Sequence, residues 1–186
     1  RRQRQMCIRD RMIDRAVSQE ERLSAETGAL RSAYLLNDGK EVIAVASALL
    51  AESKLAPELS NEAHYYRAKA FLEAGETKEA LQDLTVLAKD TRNVYGAEAK
   101  YLVAQLYFNA GETAKAEKEV LEYIEVSTPH TYWLARGFIL LSDVYVRLDR
   151  KLEAKQYLLS LQQNYQAEDD IAQMIESRLA NLNKGE

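Results

Sequence analysis

Two stretches of the sequence decide the fold: AFLEAGETKEALQDL at residues 70–84 and LYFNAGETAKAEKEV at residues 106–120. In both, an aromatic residue precedes a glycine by four positions, Glu-Thr follows that glycine, and an alanine lies five positions after it. The two glycines, Gly75 and Gly111, are 36 residues apart. A period of this length indicates a stack of similar structural units.

The same order of features recurs on both sides of these stretches, which gives four copies of the repeat. The aromatic, glycine and alanine positions are filled 38 residues later by Tyr145, Asp149 and Ala154, and 37 residues earlier, in a weaker copy, by Tyr34, Asp38 and Ile43.

Each copy predicts two helices. In its first half a small residue lies three positions before the aromatic ring, which lets a neighbouring helix approach closely. In its second half apolar residues recur at i, i+4 and i+7, on one face of a helix. The small residues are Ala68, Ala104 and Ser142. The apolar sets are Ala80, Leu84 and Leu87; Ala116, Val120 and Tyr123; and Ala154, Leu158 and Leu161.

The turn between the two helices has its own signals. We expect Gly75 and Gly111 to end the first helix, because glycine adopts the left-handed conformation without a Cβ clash. Thr77 and Thr113 follow two residues later and are expected to cap the second helix. These signals and the period together predict an all-α fold.

The pattern resembles the tetratricopeptide repeat (TPR) family, whose unit is a helix-turn-helix of about 34 residues. The resemblance covers about residues 20–165 and implies a right-handed α-solenoid. It is also similar to bacterial envelope repeat proteins, including the Tol-Pal coordinator and outer-membrane assembly lipoproteins, which implies the periplasm or cell envelope. The matching small, aromatic, glycine and alanine positions are Ala68, Phe71, Gly75 and Ala80, and Ala104, Tyr107, Gly111 and Ala116.

The predicted organisation has three parts. Residues 21–167 form four helix pairs, residues 168–182 form a C-terminal capping helix, and residues 12–20 are the remnant of a preceding repeat's helix. A solenoid needs such a cap because each unit buries its apolar face only against its neighbours. The apolar stripe of the predicted cap comprises Ile171, Met174, Ile175, Leu179 and Leu182.

Residues 1–11, RRQRQMCIRDR, differ from the rest: they carry five arginines and one aspartate, and hold the only cysteine. A basic arm could contact nucleic acid or an acidic membrane, or be a solvated tail. The segment also resembles the in-frame translation of a transposase-based sequencing adapter. We therefore expect it to be non-native, with the native N-terminus missing, and exclude it from the fold.

Composition excludes several classes of protein. The 186 residues are 47% hydrophobic and 29% charged, with 7 glycines and 2 prolines, as in an ordered, helix-rich chain. A net charge of -4 argues against a protein that mainly binds a phosphate backbone. The longest apolar stretch, residues 42–51, is half of the roughly 20 residues that a membrane-spanning helix needs.

Motifs for catalysis or for metal and phosphate binding are missing from the sequence: there is no Gly-rich loop, H-E-x-x-H, G-x-S-x-G or paired-cysteine pattern. His64, expected to open a helix, and His130, expected in a loop, are interpreted as capping or surface residues. The glutamates at 119, 122 and 125 suit a solvated face, and the acids at 168–170 suit a helix N-terminus. We predict no enzyme, no metal and no cofactor.

A surface remains as the functional feature. In TPR proteins the first helices of successive repeats line the concave side, and the resemblance carries those positions to this chain. Aromatic and aliphatic residues with dispersed charges suit a partner helix or extended peptide. The implied partner-binding residues are Tyr65, Lys69, Leu72, Tyr101, Gln105, Phe108, Arg136, Ile139, Asp143 and Val146.

The predicted function is therefore a protein-interaction scaffold with no nucleic-acid partner. A structural alternative is that Tyr65 and Tyr101 only pad neighbouring helices. A helical repeat that binds single-stranded RNA is the second functional hypothesis, and the charge of -8 outside residues 1–11 counts against it. The third is a non-catalytic fragment of a larger multidomain protein, whose catalytic site would lie in a missing N-terminal part.

Overall fold

The computed structural model describes residues 18–184, and over that range it contains nine helices and no strand. The predictions for residues 1–11 and for most of 12–20 fall outside the described residues. The helices are α1 (Gln19–Leu35), α2 (Gly39–Leu50), α3 (Pro57–Ala74), α4 (Thr77–Leu87), α5 (Val94–Asn109), α6 (Thr113–Glu125), α7 (Thr131–Arg147), α8 (Lys151–Asn164) and α9 (Ile171–Lys184).

The chain divides into two compact units between Asp83 and Leu84, within α4. In the first unit α1 packs on α2, α2 packs on α3, and α1 also contacts α3. In the second unit each helix from α5 to α9 packs on the next, and α7 additionally contacts both α5 and α9. Packed neighbouring helices are what the sequence repeat predicts.

The same turn closes all four helix pairs. One or two residues after the first helix, a residue has a positive φ of 57° to 78°, and the N–H of the residue that follows it donates to the carbonyl five positions earlier, at 2.8 to 2.9 Å. This is the hydrogen bond of a helix-ending Schellman turn. The positive-φ residues are Asn37, Gly75, Gly111 and Asp149.

The first copy departs from the prediction by one residue. Asp38 was assigned the glycine position, but Asn37 has the positive φ and Asp38 has a φ of -92°. Asparagine tolerates the left-handed region better than most residues. Asp38 instead caps α2, where its carboxylate accepts the Glu41 N–H at 3.4 Å.

The expected threonine caps are wrong. Thr77 and Thr113 are the first residues of α4 and α6, so they lie one position too late to cap them. Thr113 donates its hydroxyl to the Gly111 carbonyl at 3.4 Å, and Glu112 at the N-cap position makes no side-chain capping bond.

The predicted packing positions are buried. The alanines that open the second-helix stripes, Ala80, Ala116 and Ala154, have no exposed surface. The small residues of the first helices are also buried: Ala68, Ala104 and Ser142 are at most 1% exposed. The pattern of small and apolar residues was therefore interpreted correctly in the three later copies.

A buried ionic network ties helices together in the first unit. Asp83 of α4 is 2% exposed and accepts from Arg67 Nε at 2.8 Å and Arg67 Nη2 at 2.7 Å. His64 Nδ1 lies 2.7 Å from the same carboxylate, and Arg67 Nη1 donates to Ser47 of α2 at 3.0 Å. His64 thus lies inside α3 as part of this network, and the expectation that it opens a helix is wrong.

Two opposing effects act on the Asp83 carboxyl. Burial alone would raise its pKa, but hydrogen bonds from Arg67 and His64 outweigh burial and hold the pKa below its ordinary value of 3.8. The ionised form is therefore the one that stabilises the folded chain.

Replacing Asp83 by asparagine should strongly destabilise the protein. Because Arg67 would keep a buried charge without its carboxylate, we expect a loss of about 3 to 5 kcal/mol in the free energy of unfolding at pH 7. The wild-type contribution is present above the unfolded pKa and is lost as pH falls through the lower folded pKa. Urea unfolding at stepped pH from neutral to acid should show this acid loss in the wild type and a smaller one in Asp83→Asn.

Asp90→Asn is the matched control. Asp90 also bonds an arginine, Arg92, but on the exposed surface, where ion pairs contribute little. Equal destabilisation by the two changes would show that the Asp83 network does not stabilise the first unit.

Ala104→Leu should destabilise the second unit. Ala104 is 1% exposed in the apolar core, and overpacking such a position typically costs about 1 to 3 kcal/mol. The urea midpoint should fall, whereas Ala114→Leu, on the exposed side of α6, should stay within about 0.5 kcal/mol of the parent. Unchanged stability of Ala104→Leu would place Ala104 outside the helix contact.

Candidate partner-binding surface

The predicted residues of the first unit lie on one face of α3. Tyr65, Lys69 and Leu72 are spaced i, i+4 and i+7, and each is half-buried. The Lys69 ammonium lies 5.8 Å from the centroid of the Tyr65 ring, and Tyr65 packs at 5.9 Å against Tyr66. They form a small aromatic and cationic patch.

The predicted residues of the second unit are divided between α5 and α7, which contact each other. Gln105, Phe108, Arg136 and Asp143 are half-buried, and Val146 is 42% exposed. Tyr101 and Ile139 belong to the apolar core, with only 4% and 1% exposed.

Tyr101, which the resemblance assigned to the partner-binding surface, has its ring in the apolar core. Its ring packs against Trp133 of α7 at a centroid distance of 5.7 Å, and the Arg136 guanidinium lies above it. Side chains of α7 cover the ring, which agrees with the alternative that Tyr101 pads a neighbouring helix. Its hydroxyl accepts a hydrogen bond from Arg136.

Arg136 lies in an aromatic frame. Its guanidinium carbon is 5.0 Å from the centroid of Tyr101, 5.8 Å from that of Tyr132 and 5.9 Å from that of Trp133. Nη1 donates to the Tyr132 hydroxyl at 3.0 Å and Nη2 to the Tyr101 hydroxyl at 3.1 Å. The nearest carboxylate oxygen, on Asp170, is 3.9 Å from Nη1, beyond hydrogen-bonding distance.

The electrostatics keep this guanidinium charged. Burial alone would lower the pKa of Arg136, but the hydroxyls of Tyr132 and Tyr101 outweigh burial and raise the pKa above its ordinary value. Its Nε is buried without a hydrogen-bond partner. The frame therefore holds a partly desolvated cation whose remaining N–H groups are not matched by a carboxylate.

A second arginine of α7 has a similar position. The Arg147 guanidinium stacks on Phe108 of α5 at 3.6 Å from the ring centroid, and Nη1 donates to the Phe108 carbonyl at 2.6 Å. The side chain of Phe108 is therefore covered on one side by an exposed cation.

Asp143 lies between these arginines in sequence and is paired. Arg178 of α9 donates to both carboxylate oxygens, each at 2.8 Å. Asp143 and Val146 also line a pocket of about 210 Å³. Its other lining residues are Ser142, Lys151, Arg178, Asn181 and Leu182.

Three of the acidic residues considered in the sequence, Glu119, Glu122 and Asp169, have hydrogen-bond partners. Lys100 donates to Glu119 at 2.6 Å and to Glu122 at 3.1 Å. Burial alone would lower the pKa of Lys100, but these bonds outweigh burial and raise it. Asp169 accepts the N–H of Ile171 at 3.0 Å, as expected for an acid at a helix N-terminus.

Sequence reasoning missed Tyr132, Trp133, Arg147 and Arg178, which complete the surface. They lie off the positions carried over from the repeat, so period alone could not find them. The available signal was composition, because tryptophan, tyrosine and arginine dominate binding surfaces. Only the contacts show which of these residues meet.

No family model, curated protein or solved structure matches the chain. Among the residues that the structure describes, no group of histidine, cysteine, aspartate and glutamate is arranged to hold a metal ion. Over the same range, no helix has the length and apolar character needed to cross a membrane.

Tyr101→Ala should destabilise the fold, since the ring is buried. Truncating a buried aromatic side chain typically costs about 3 to 5 kcal/mol, whereas Tyr101→Phe removes only the hydroxyl bond to Arg136 and should cost about 1 kcal/mol. Urea unfolding of both variants measures the difference. Wild-type stability of Tyr101→Ala would show that the ring does not support the core.

Proposed function

We propose that the chain is a protein-interaction scaffold: a right-handed solenoid of TPR repeats whose odd-numbered helices bind a helix or an extended segment of a partner protein. The observation that carries this proposal is the surface formed by α5 and α7. There, the buried ring of Tyr101 and the half-buried ring of Phe108 each lie beneath an arginine guanidinium. Tyrosine, tryptophan and arginine are the residues that contribute most to binding at protein interfaces.

The packing within the second unit supports the choice of surface. The odd-numbered helices contact each other, α5 with α7 and α7 with α9, whereas α6 and α8 have no comparable contact in the described part of the chain. Helices on the inner side of a curved stack approach more closely than those on the outer side. This pattern favours the odd-numbered helices as the inner, partner-facing layer.

Both histidines have structural partners. His64 Nδ1 lies 2.7 Å from buried Asp83, and His130 Nε2 lies 3.0 Å from the Arg92 carbonyl. The sequence also lacks the motifs of common catalytic and metal sites. The proposal accordingly assigns the chain binding and no chemistry.

Binding of single-stranded RNA is the second candidate, since rings and arginines can also stack on bases. The observation in its favour is that two arginines of α7, Arg136 and Arg147, each lie over an aromatic ring of α5. The acidic balance of the chain opposes it.

Peptides selected from a random phage-displayed library on the immobilised protein should bind through this surface. We expect Val146→Glu to weaken the best synthetic peptide by about tenfold or more, because it places a charge in an apolar contact. Val126→Glu is the matched control, since Val126 is similarly exposed, 46% against 42%, but caps α6. Fluorescence anisotropy gives the dissociation constants.

Phe108→Ala should reduce affinity by at least ~2 kcal/mol, because the bound peptide would bury the half-exposed ring as an anchor. Circular dichroism checks that this variant is folded. Equal binding by Val146→Glu and Val126→Glu would place the contact elsewhere. Binding of oligouridylate without peptide selection would favour the RNA candidate.

A further inference from the structure

Two arginines differ from all others in the described residues. Of the eight arginines between 18 and 184, six hydrogen-bond a carboxylate, whereas Arg136 and Arg147 do not. The paired ones are Arg22 with Glu52, Arg31 with Glu62, Arg67 with Asp83, Arg92 with Asp90, Arg150 with Glu153 and Glu117, and Arg178 with Asp143.

The two exceptions share one surface. They are eleven residues apart on α7, so at 100° per residue their side chains leave the helix within about 20° of each other. Each guanidinium lies over a ring of α5, Arg136 over Tyr101 and Arg147 over Phe108. Those two rings are seven residues apart and also share a face. An arginine stacked on a ring keeps the edge of its fork available to a ligand.

We propose that Arg136 and Arg147 each bind a carboxylate of one extended acidic segment of the partner protein. The proposal rests on the proposed function and specifies the chemistry of the partner. A guanidinium matches a carboxylate through two parallel hydrogen bonds, and such charge-assisted bonds are about twice as strong as neutral ones.

The donors needed for this are present. Arginine has five N–H groups. Arg136 uses one N–H of Nη1 and one of Nη2 on tyrosine hydroxyls, and its Nε is buried, so the second N–H of each terminal nitrogen remains for a ligand. Arg147 uses one N–H on the Phe108 carbonyl. The Tyr101 and Tyr132 hydroxyls accept from Arg136 and so have their own protons to donate onward. The Asp170 carboxylate lies 3.9 Å from Arg136 Nη1, so it competes electrostatically with a ligand carboxylate for Arg136.

The spacing of the two positions limits the ligand. The rings are separated by seven residues of α5, about 10 Å, and the arginine Cα atoms by eleven residues of α7, about 16 Å. An extended chain advances ~3.3 Å per residue. Carboxylates three to five residues apart therefore fit, and four is the central value.

The charge pattern favours a peptide over a nucleic acid. Asp143 lies between the two arginines on α7 and is already paired with Arg178. A phosphate backbone carries a charge at every nucleotide, so it would bring phosphates close to Asp143. A peptide with uncharged residues between two glutamates avoids that repulsion.

The test uses a peptide with blocked termini and an uncharged fluorophore, whose only charged groups are two glutamates four residues apart. Blocked termini remove any terminal carboxylate. Anisotropy titration should show that replacing both glutamates by glutamine weakens binding at least tenfold, and that moving them to adjacent positions weakens it severalfold. Asp170→Asn should strengthen binding severalfold, because it removes the competing carboxylate.

Variants assign the two positions. Arg147→Gln, at an exposed residue, should weaken binding about tenfold, whereas Arg92→Gln, which removes an exposed arginine elsewhere in the second unit, should stay within about twofold. Arg136→Gln should act like Arg147→Gln, with circular dichroism checking its fold. A peptide that lacks the glutamate facing Arg147 should bind Arg147→Gln and wild type equally, as a double-mutant cycle requires.

The outcomes separate the two proposals. Equal binding of glutamate and glutamine peptides, or equal effects of Arg147→Gln and Arg92→Gln, overturns the acidic-segment inference. If library-selected peptides still depend on Val146 and Phe108, the proposed function stands without it. Arg147-dependent binding of oligouridylate that exceeds binding of the acidic peptide overturns the inference in favour of RNA.

Discussion

The backbone turn with one left-handed residue is the constraint on which the helix pairs depend. The N–H of the next residue donates to the carbonyl five positions earlier, and in three copies that carbonyl belongs to the aromatic residue of the repeat, Phe71, Tyr107 or Tyr145. The spacing of four between ring and turn residue therefore has a geometric origin. In the two later copies, Tyr107 and Tyr145 each contribute a ring to the apolar core and the carbonyl that accepts this bond.

Each unit is stabilised internally by a different balance of interactions. The first has a modest apolar core and is linked across its helices by ion pairs, among them Arg31 with Glu62 and Arg67 with buried Asp83. The second has a larger core that includes the rings of Tyr101, Tyr123 and Tyr145. Burial raises the pKa of Tyr123 and Tyr145 to about 12, so both remain neutral across the physiological range.

The sequence predicted the helix pairs and their packing stripes because both follow from periodicity within one helix. It did not predict the burial of Tyr101, since that depends on Trp133 and Arg136 of another helix. The partner of His64 lies nineteen residues away, and no local pattern reports it. The sequence also did not predict that Asn37, and not Asp38, has the positive φ, because asparagine and aspartate are both compatible with such a turn. The repeat could predict which sequence positions lie near the candidate surface, but it could not predict their burial or their contacts.

The Phe108 carbonyl has a second role beyond the turn. It accepts the Gly111 N–H at 3.1 Å and also the Arg147 guanidinium at 2.6 Å. The end of α5 is thus hydrogen-bonded to the end of α7, one repeat further along the chain. Local opening of either end breaks a bond of the other, so the amides of both ends should exchange with solvent as one cooperative unit. Fraying, which is usually independent at each helix end, is shared between two repeats here.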